Sequence, residues 1–445
     1  MKRVLVLAYY FPPLGGAGVQ RTVKFLKHLP DRGYEAVVVT GPERASVDWS
    51  PPDTTLFADV PPSTTVIRID ASPPAGRDPN ARLRRLLGRP SRLDAWWRRE
   101  ALEAARSAIG DVDLIYASLS PFGSAPVAAR LAEESGLPWV ADLRDPWALD
   151  EWATYPSALH RRLERRRMRS ALSSAHAIVM NTKEAGSALL AAFPELAGRH
   201  LAVIPNGWDR DDFARPAPRR DDDAFRIVYA GYSHVRAGLR HRRLQLVRRS
   251  LGGASPGIGR LARSHALLAE ALTRLDESEP ELAGRVELHV AGAAPAGEND
   301  AASAHVVHRG YLPHPEAVDL MRSADLIFLP MHDLPEGVRA RTVMGKTYEY
   351  LASGRPILGA LPDGDARDLL AALPNVWLCR PAAIDCMAAA VRDVMLSPPE
   401  GATATEALLE RLERGALAVD LARLFDTVMA DHIGSQRRVV PSSSR

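Results

Sequence analysis

Residues Arg3–Thr40 read RVLVLAYYFPPLGGAGVQRTVKFLKHLPDRGYEAVVVT, and the change of period along them decides the fold. Arg3 to Tyr9 is a continuous apolar run, the pattern of a strand buried on both faces. A Pro- and Gly-rich loop follows at Pro12–Gly18. Val19, Thr22, Val23, Leu26 and Leu29 then recur at helical spacing, the helix stops near Asp31-Arg32-Gly33, and EAVVVT supplies a second strand. This is one βαβ unit, the seed of a parallel sheet covered by helices. Met1-Lys2-Arg3 before an apolar run resembles the start of a secretory leader. Pro12, Pro13 and the glycine loop stand where a small-residue cleavage site belongs, so the run reads as a strand.

The pattern continues outward. Further strands are expected at Val66–Ile69, Leu114–Ala117, Trp139–Asp142, Ala177–Met180 and Leu201–Ile204. The polar stretch RPAPRRDDDA after PNGWDRDDF has linker composition. A second α/β series follows, with strands expected at Phe225–Ala230, Val286–Ala291, Val306–His308, Leu326–Pro330 and Pro356–Gly359. Helices are expected at Ser264–Leu275, Glu316–Arg322 and Val343–Ala352, with one long helix over Glu406–Ala430. No short-period repeat interrupts this halving. The fold class is α/β, with two similar domains. The boundaries are 1–208, a linker at 209–224, a second domain at 225–405, a final helix at 406–432 and a disordered tail at 433–445.

Composition narrows the function classes. The chain has 445 residues, 46% apolar and 25% charged, which suffices for two cores. A net charge of +3 argues against a dedicated nucleic-acid binder. No apolar run approaches the length of a spanning helix. Cys379 and Cys386 are the only cysteines; they read as reduced core residues, and the cytoplasm is the default compartment. Lysine occurs only at positions 2, 24, 27, 183 and 346 among many arginines, so a lysine inside a motif is informative.

Two segments can carry chemistry. In the loop Pro12–Gly18, Gly15 and Gly16 lie where a doubly wound sheet opens its crevice, and glycines there let backbone N–H groups approach a phosphate. A plain tight turn is the alternative. The nicotinamide fingerprint is not met, because the second strand closes on Thr40-Gly41 without an acidic residue. The second segment is GKTYEYLASGRPILGALPDG from Gly345. Gly345, Lys346 and Thr347 open a helix at the strand ends, where N–H groups and an ammonium can meet a diphosphate. Glu349, one turn on, can accept from ribose hydroxyls. An ordinary solvated Lys–Glu pair is the alternative.

Taken with PWVADLRDPW, VIPNGWD and RGYLPHPEAVDLMRSADLIFLP, these segments resemble the family-4 retaining glycosyltransferases of GT-B fold, from Arg3 to about Ala430. The resemblance implies two Rossmann-like domains facing across a cleft, a nucleotide-sugar donor held mainly by the second, and an acceptor held mainly by the first. It also implies a hinge at PNGWD and a last helix crossing back to the first domain. Carried over by position, Gly16, Gly345 and Lys346 approach the donor phosphates and Glu349 the ribose. Gly310, Tyr311 and Leu312 cradle the base, and Gly231 follows the second domain's first strand.

Two departures bear on the sugar and on catalysis. Relatives carry a second glutamate where this chain has Arg341, and a histidine where it has Ser118-Leu119-Ser120-Pro121. Asp142, Arg144 and Asp145 in ADLRDPW end a first-domain strand, so an acceptor-facing catalytic role and a structural salt bridge are both open. No metal or cofactor is expected: the acidic clusters at 209–212 and 221–223 lack companion ligands, and the histidines of HVVHRGYLPH read as strand and loop residues.

The donor expected is a UDP-sugar and the acceptor a hydroxyl of a glycan, lipid-linked or natural-product intermediate. An epimerase or hydrolase of nucleotide sugars, or a non-catalytic binder of them, are the rival readings. Arginines mixed with Leu and Trp at 82–99, and again at 160–169, fit either an anionic membrane surface at the inner face or solvated helix faces. The stretch Val235–Arg260 reads as an insertion that is disordered or contacts phosphate.

Overall fold

The computed structural model describes residues 1–43, 51–69, 71–74, 78–232, 234–236, 238–240, 250–255, 257–293 and 303–439. Much of the insertion at 235–260 and the last residues of the tail therefore lie outside the described residues.

The first sheet has seven parallel strands: β1 Lys2–Ala8, β2 Tyr34–Thr40, β3 Thr65–Arg68, β4 Leu114–Ser118, β5 Trp139–Leu143, β6 Ala177–Met180 and β7 His200–Val203. Their order is β3-β2-β1-β4-β5-β6-β7. The second sheet has six: β8 Phe225–Ala230, β9 Val286–Ala291, β10 Val306–Gly310, β11 Leu326–Pro330, β12 Ile357–Ala360 and β13 Val376–Cys379. Their order is β10-β9-β8-β11-β12-β13, again all parallel. Each sheet reverses its winding beside its first strand, between β1 and β4 and between β8 and β11, where a doubly wound sheet opens a crevice. The strands earn their central positions by composition: Val4 to Leu7 are fully buried, as are Leu326 and Ile327.

The long helix expected at Glu406–Ala430 is two helices, Glu406–Arg411 and Arg414–Val439. The break has a physical cause. Trp208 of PNGWD donates its N–H to the Leu412 carbonyl and accepts from Arg414 N–H, so those groups leave the helical ladder. Glu413 Oε2 then caps Gly415 and Ala416 N–H and starts the helix afresh. Leu408 and Leu409 pack with the second domain. Leu417, Leu421, Phe425 and Val428, at helical spacing, complete the first domain's core, with Phe425 edge-on to Tyr34 and Tyr116. The last helix thus crosses back, and it runs into the stretch expected to be a disordered tail.

Two other expectations are corrected. Cys379 ends β13 and Cys386 sits in the first turn of helix Ile384–Leu396, with Cα atoms 5.8 Å apart, and the two form a disulfide. Cys386 is exposed, so neither thiol is free and only Cys379 is core. The Trp pair at 96–97 is also core. It lies on helix Arg92–Arg106, where Trp97 meets Tyr9 edge-on and donates from Nε1 to Ser124. β13 was not legible in the sequence.

Candidate active site between the two domains

A cavity of about 600 Å³ lies between the strand ends of the two sheets. Its first-domain wall begins at the loop after β1. Gly16, at φ 95°, starts helix Ala17–His28 with no side-chain cap, and Gly16 and Gly18 of that first turn line the cavity. The Arg144 guanidinium lies on that turn, in the space a Cβ on Gly18 would take. Arg144 in turn donates to Asp145 Oδ2 at 3.0 and 3.2 Å. Arg144 and Asp145 both line the cavity.

Asp142 does not. It takes a bidentate pair from the Arg21 guanidinium at 2.8 and 2.9 Å and a hydrogen bond from the Tyr116 hydroxyl at 2.5 Å, and it is 1% exposed. Arg21 also donates to the carbonyls of Ile204 and Pro205. The carboxylate expected to meet the acceptor instead anchors the chain as it leaves the first domain.

Helix Ala17–His28 continues that anchoring. Lys24, fully buried, reaches Asp212 at 2.6 Å, Asp59 at 2.9 Å and Asp209 at 3.5 Å. Lys27 and His28 also reach Asp209. These partners hold the Asp209 carboxyl, against its burial, far below the usual carboxylate range. His28, Asp209 and Glu413 converge closely enough to suggest a cation site, but two ammonium groups already occupy Asp209.

The second-domain wall is built on Lys346. Its Nζ lies 4.1 Å from the Tyr229 ring centroid, and a Cβ on Gly231 would collide with it. Among the described residues no carboxylate lies within ion-pair distance of this ammonium. Burial first, and then the Arg263 charge, push its pKa down to about 7 against the more distant attraction of Glu349. Gly345, Gly231, Tyr311 and Leu312 share the wall. Glu349 also lines it, with Oε1 2.9 Å from His314 Nε2. Both ends of that pair are buried. Burial opposes charge on each, yet the mutual attraction raises the imidazolium pKa and lowers the carboxyl.

Gly310 and Thr347 are not part of the lining: Gly310 ends β10 at φ 66° and is exposed, and Thr347 is fully buried. Gly15 stands at the edge, where its N–H bonds the Pro51 carbonyl. Arg341 leaves the cavity altogether. Its backbone N–H meets Glu151 Oε1 at 3.1 Å and its guanidinium takes the Leu149 carbonyl, both in the first domain.

Sequence reasoning missed four residues. Asp53, from the first domain, accepts from Tyr311 Oη at 3.1 Å and His314 N–H at 3.0 Å, so it closes one side of the cavity. His314, expected in a strand or loop, opens helix His314–Arg322 and is buried. Arg263 lines the cavity beside Lys346, and its only sequence signal was an arginine preceding helix Ala266–Ser278. Asp150 lies on the first-domain wall. Burial chiefly, with Glu151 and Asp145 adding, pushes its pKa up to about 7.

Residues 15–212 match the family described as Glycosyltransferase Family 4. No curated protein matches the chain. Among solved structures, sucrose-phosphate synthase from Thermosynechococcus elongatus superposes with a TM-score of 0.65 at 14% identity, over 97% of this chain and 100% of that one. Anabaena HepE in complex with UDP and glucose gives 0.54 at 17% identity, over 99% and 100%. The E. coli trehalose-6-phosphate structure bound with UDP-2-fluoro glucose gives 0.55 at 15% identity, over 99% and 100%. At these identities the likeness establishes the fold: two Rossmann-like domains in the GT-B arrangement.

Proposed function

We propose that the chain transfers a sugar from a UDP-linked donor to an acceptor hydroxyl, with retention, because residues 15–212 match the family-4 glycosyltransferase model and the chain has the GT-B fold. Lys346 carries this reading. A cation withdrawn from water, with no carboxylate in ion-pair distance among the described residues, costs free energy unless an anion completes it. The diphosphate of a nucleotide sugar is an anion of the right size for a cavity shared by two domains.

Lys346 and Arg263 hold the diphosphate from one side, and the first turn of helix Ala17–His28, at Gly16, meets it from the other. Glu349, fixed by His314, accepts from the ribose, and the base lies against Tyr311 and Leu312. The chemistry of these groups is stabilisation of negative charge on the leaving diphosphate as the glycosidic bond breaks. Arg144 and Asp145 stand at the acceptor end. UDP with glucose in one of the structures above, and UDP-2-fluoro glucose in another, support the choice of donor.

A thermal-shift screen of UDP, GDP, TDP and their sugars tests the reading. A ligand at a hundred times its Kd stabilises by about 2.7 kcal/mol, and UDP and its sugars are expected to give the largest shift. No shift with any nucleotide removes the proposal. Product analysis with donor alone then separates a transferase from an epimerase or hydrolase.

A second surface bears on where the acceptor is met. No helix among the described residues is long and apolar enough to cross a membrane. Leu83, Leu86, Leu87 and Leu159 are nevertheless 54–72% exposed. They share one patch, because His160 of helix Ala158–Leu172 bonds the Leu86 carbonyl of the short helix Ala81–Leu86. Exposed Arg82, Arg85, Arg162 and Arg166 frame it. Leucines ringed by arginines suit peripheral docking on the anionic inner face of a membrane, which would favour a lipid-linked acceptor. Vesicles of phosphatidylglycerol and phosphatidylcholine should sediment the protein, pure phosphatidylcholine should not, and Leu86→Ser with Leu159→Ser should abolish the difference.

A further inference from the structure

The loop that leads into Lys346 is pinned to the first domain on both sides of Thr342. The Thr182 hydroxyl donates to the Arg341 carbonyl at 2.8 Å, and Asn206 Nδ2 donates to the Val343 carbonyl at 3.4 Å. Thr342, between those two carbonyls, lines the cavity, and so does Asn181, the chain neighbour of Thr182. One residue from each domain therefore meets the cavity at the junction that the Thr182 bond closes.

Both side chains lack partners. Asn181 is 4% exposed and Thr342 8%. Among the described residues neither makes a side-chain hydrogen bond, and Asn181 Oδ1 is cut off from water as well. A buried carboxamide is ordinarily bonded, because leaving it unbonded costs free energy. Other polar groups on the lining are bonded: Asn206 accepts from Arg21, Asp145 holds Arg144, Glu349 holds His314, and Asp53 accepts from Tyr311.

The sheet order indicates which part of a donor reaches them. Strands β10, β9, β8 and β11 lie side by side in that order. Tyr311 follows β10, and Thr342 belongs to the loop after β11. Lys346 Nζ lies between them, in the space a Cβ on Gly231 would take just after β8. A molecule with its base at Tyr311 and its diphosphate at Lys346 runs across the strand ends toward β11, at about 4.8 Å per strand. Its next group, the sugar, arrives at Thr342 and Asn181. Arg341 does not compete for that space, since its backbone N–H is held by Glu151 and its guanidinium by the Leu149 carbonyl.

We propose that Asn181 and Thr342 are the pair that recognises the donor's sugar, an inference that rests on the glycosyl-transfer reading above. The carboxamide offers two N–H donors and one carbonyl acceptor, and the threonine hydroxyl both gives and accepts. That set matches neighbouring hydroxyls of a hexose, each of which gives one hydrogen bond and takes another. Neither side chain titrates, so the pair binds and orients the sugar and moves no proton. It stands where the resemblance to relatives leads one to look for a glutamate and this chain has Arg341 turned away.

The test compares UDP with UDP-glucose, UDP-galactose and UDP-N-acetylglucosamine, each bound to the full chain and followed by calorimetry. For the sugar nucleotide that raises Tm most, Asn181→Ala should weaken binding roughly tenfold and Thr342→Val about threefold, the size of one or two neutral hydrogen bonds. UDP affinity should stay within about twofold in both variants. Their Tm without ligand should hold or rise, because a buried polar group without a partner has been removed. Sugar-nucleotide binding as tight in both variants as in the wild type would overturn the proposal. So would equal losses for UDP and the UDP-sugar, which would place the pair at the phosphates or in the scaffold, and so would a wild type that binds UDP but none of the three sugar nucleotides. A wild type that binds neither UDP nor any UDP-sugar sinks the glycosyl-transfer reading itself, a distinct failure.

Discussion

Lys24 and Lys346 are two of only five lysines in the chain, and the protein treats them oppositely. Lys24 is sealed beneath three aspartates, Asp59, Asp209 and Asp212, which join helix Ala17–His28 to the segment leaving the first domain. Lys346 sits over an aromatic ring with no carboxylate in ion-pair reach among the described residues. The first charge is satisfied by the fold and contributes to it. The second is left for something the fold does not contain, and that difference separates a structural cation from a binding one.

Substitutions should divide along this line. Lys24→Met strips Asp212 of its ammonium and leaves Asp59 and Asp209 to Lys27, and a loss of about 3–5 kcal/mol in unfolding free energy by urea titration is expected. Unchanged stability would show that Lys24 is not the structural member of the pair. Lys346→Ala should weaken transfer roughly 10- to 100-fold, the size of a lost charged hydrogen bond, in a protein that stays folded. Its Tm should rise, since a cation isolated from water is removed; a fall in Tm instead would assign Lys346 to the scaffold.

The pH dependence sharpens the same contrast. Lys346 has its folded pKa lowered from 10.5 to about 7, so below 7 it is charged in both folded and unfolded chains. Between about 7 and 10.5 only the unfolded chain keeps the proton, and this group alone makes stability rise with pH across that window. Nucleotide-sugar binding needs the ammonium, so affinity measured by calorimetry should fall by up to about tenfold per pH unit above 7, with proton uptake on binding. A flat profile would leave Lys346 outside the donor site. The smallest effect expected is that of Tyr229→Leu, which removes a cation–π contact of about 0.5–2 kcal/mol. Donor affinity should drop two- to tenfold and Lys346 should become easier to deprotonate.

Legibility followed range. The parallel sheets and the placing of Lys346, Gly345 and Glu349 at strand ends were readable, because strand, turn and helix there are set by residues within one short segment. Asp142 and Asp150 were not separable by sequence. Asp142 lies in β5 and Asp150 follows the turn Trp147–Leu149 beyond it, and what distinguishes them is Arg21, more than a hundred positions earlier, which claims Asp142. The break at Leu412–Glu413 was hidden for the same reason, since Trp208 causes it. The disulfide joins a strand end to a helix start that composition did not connect.

Sequence alone therefore determined the alternation of strands and helices, the division into two halves and the motif that puts an ammonium at a strand end, all consequences of local period and turn chemistry. Only the tertiary structure decided which buried charges are paired. Pairing depends on which distant segments a closed fold brings within about 4 Å, and Coulomb attraction and desolvation both change steeply over that distance.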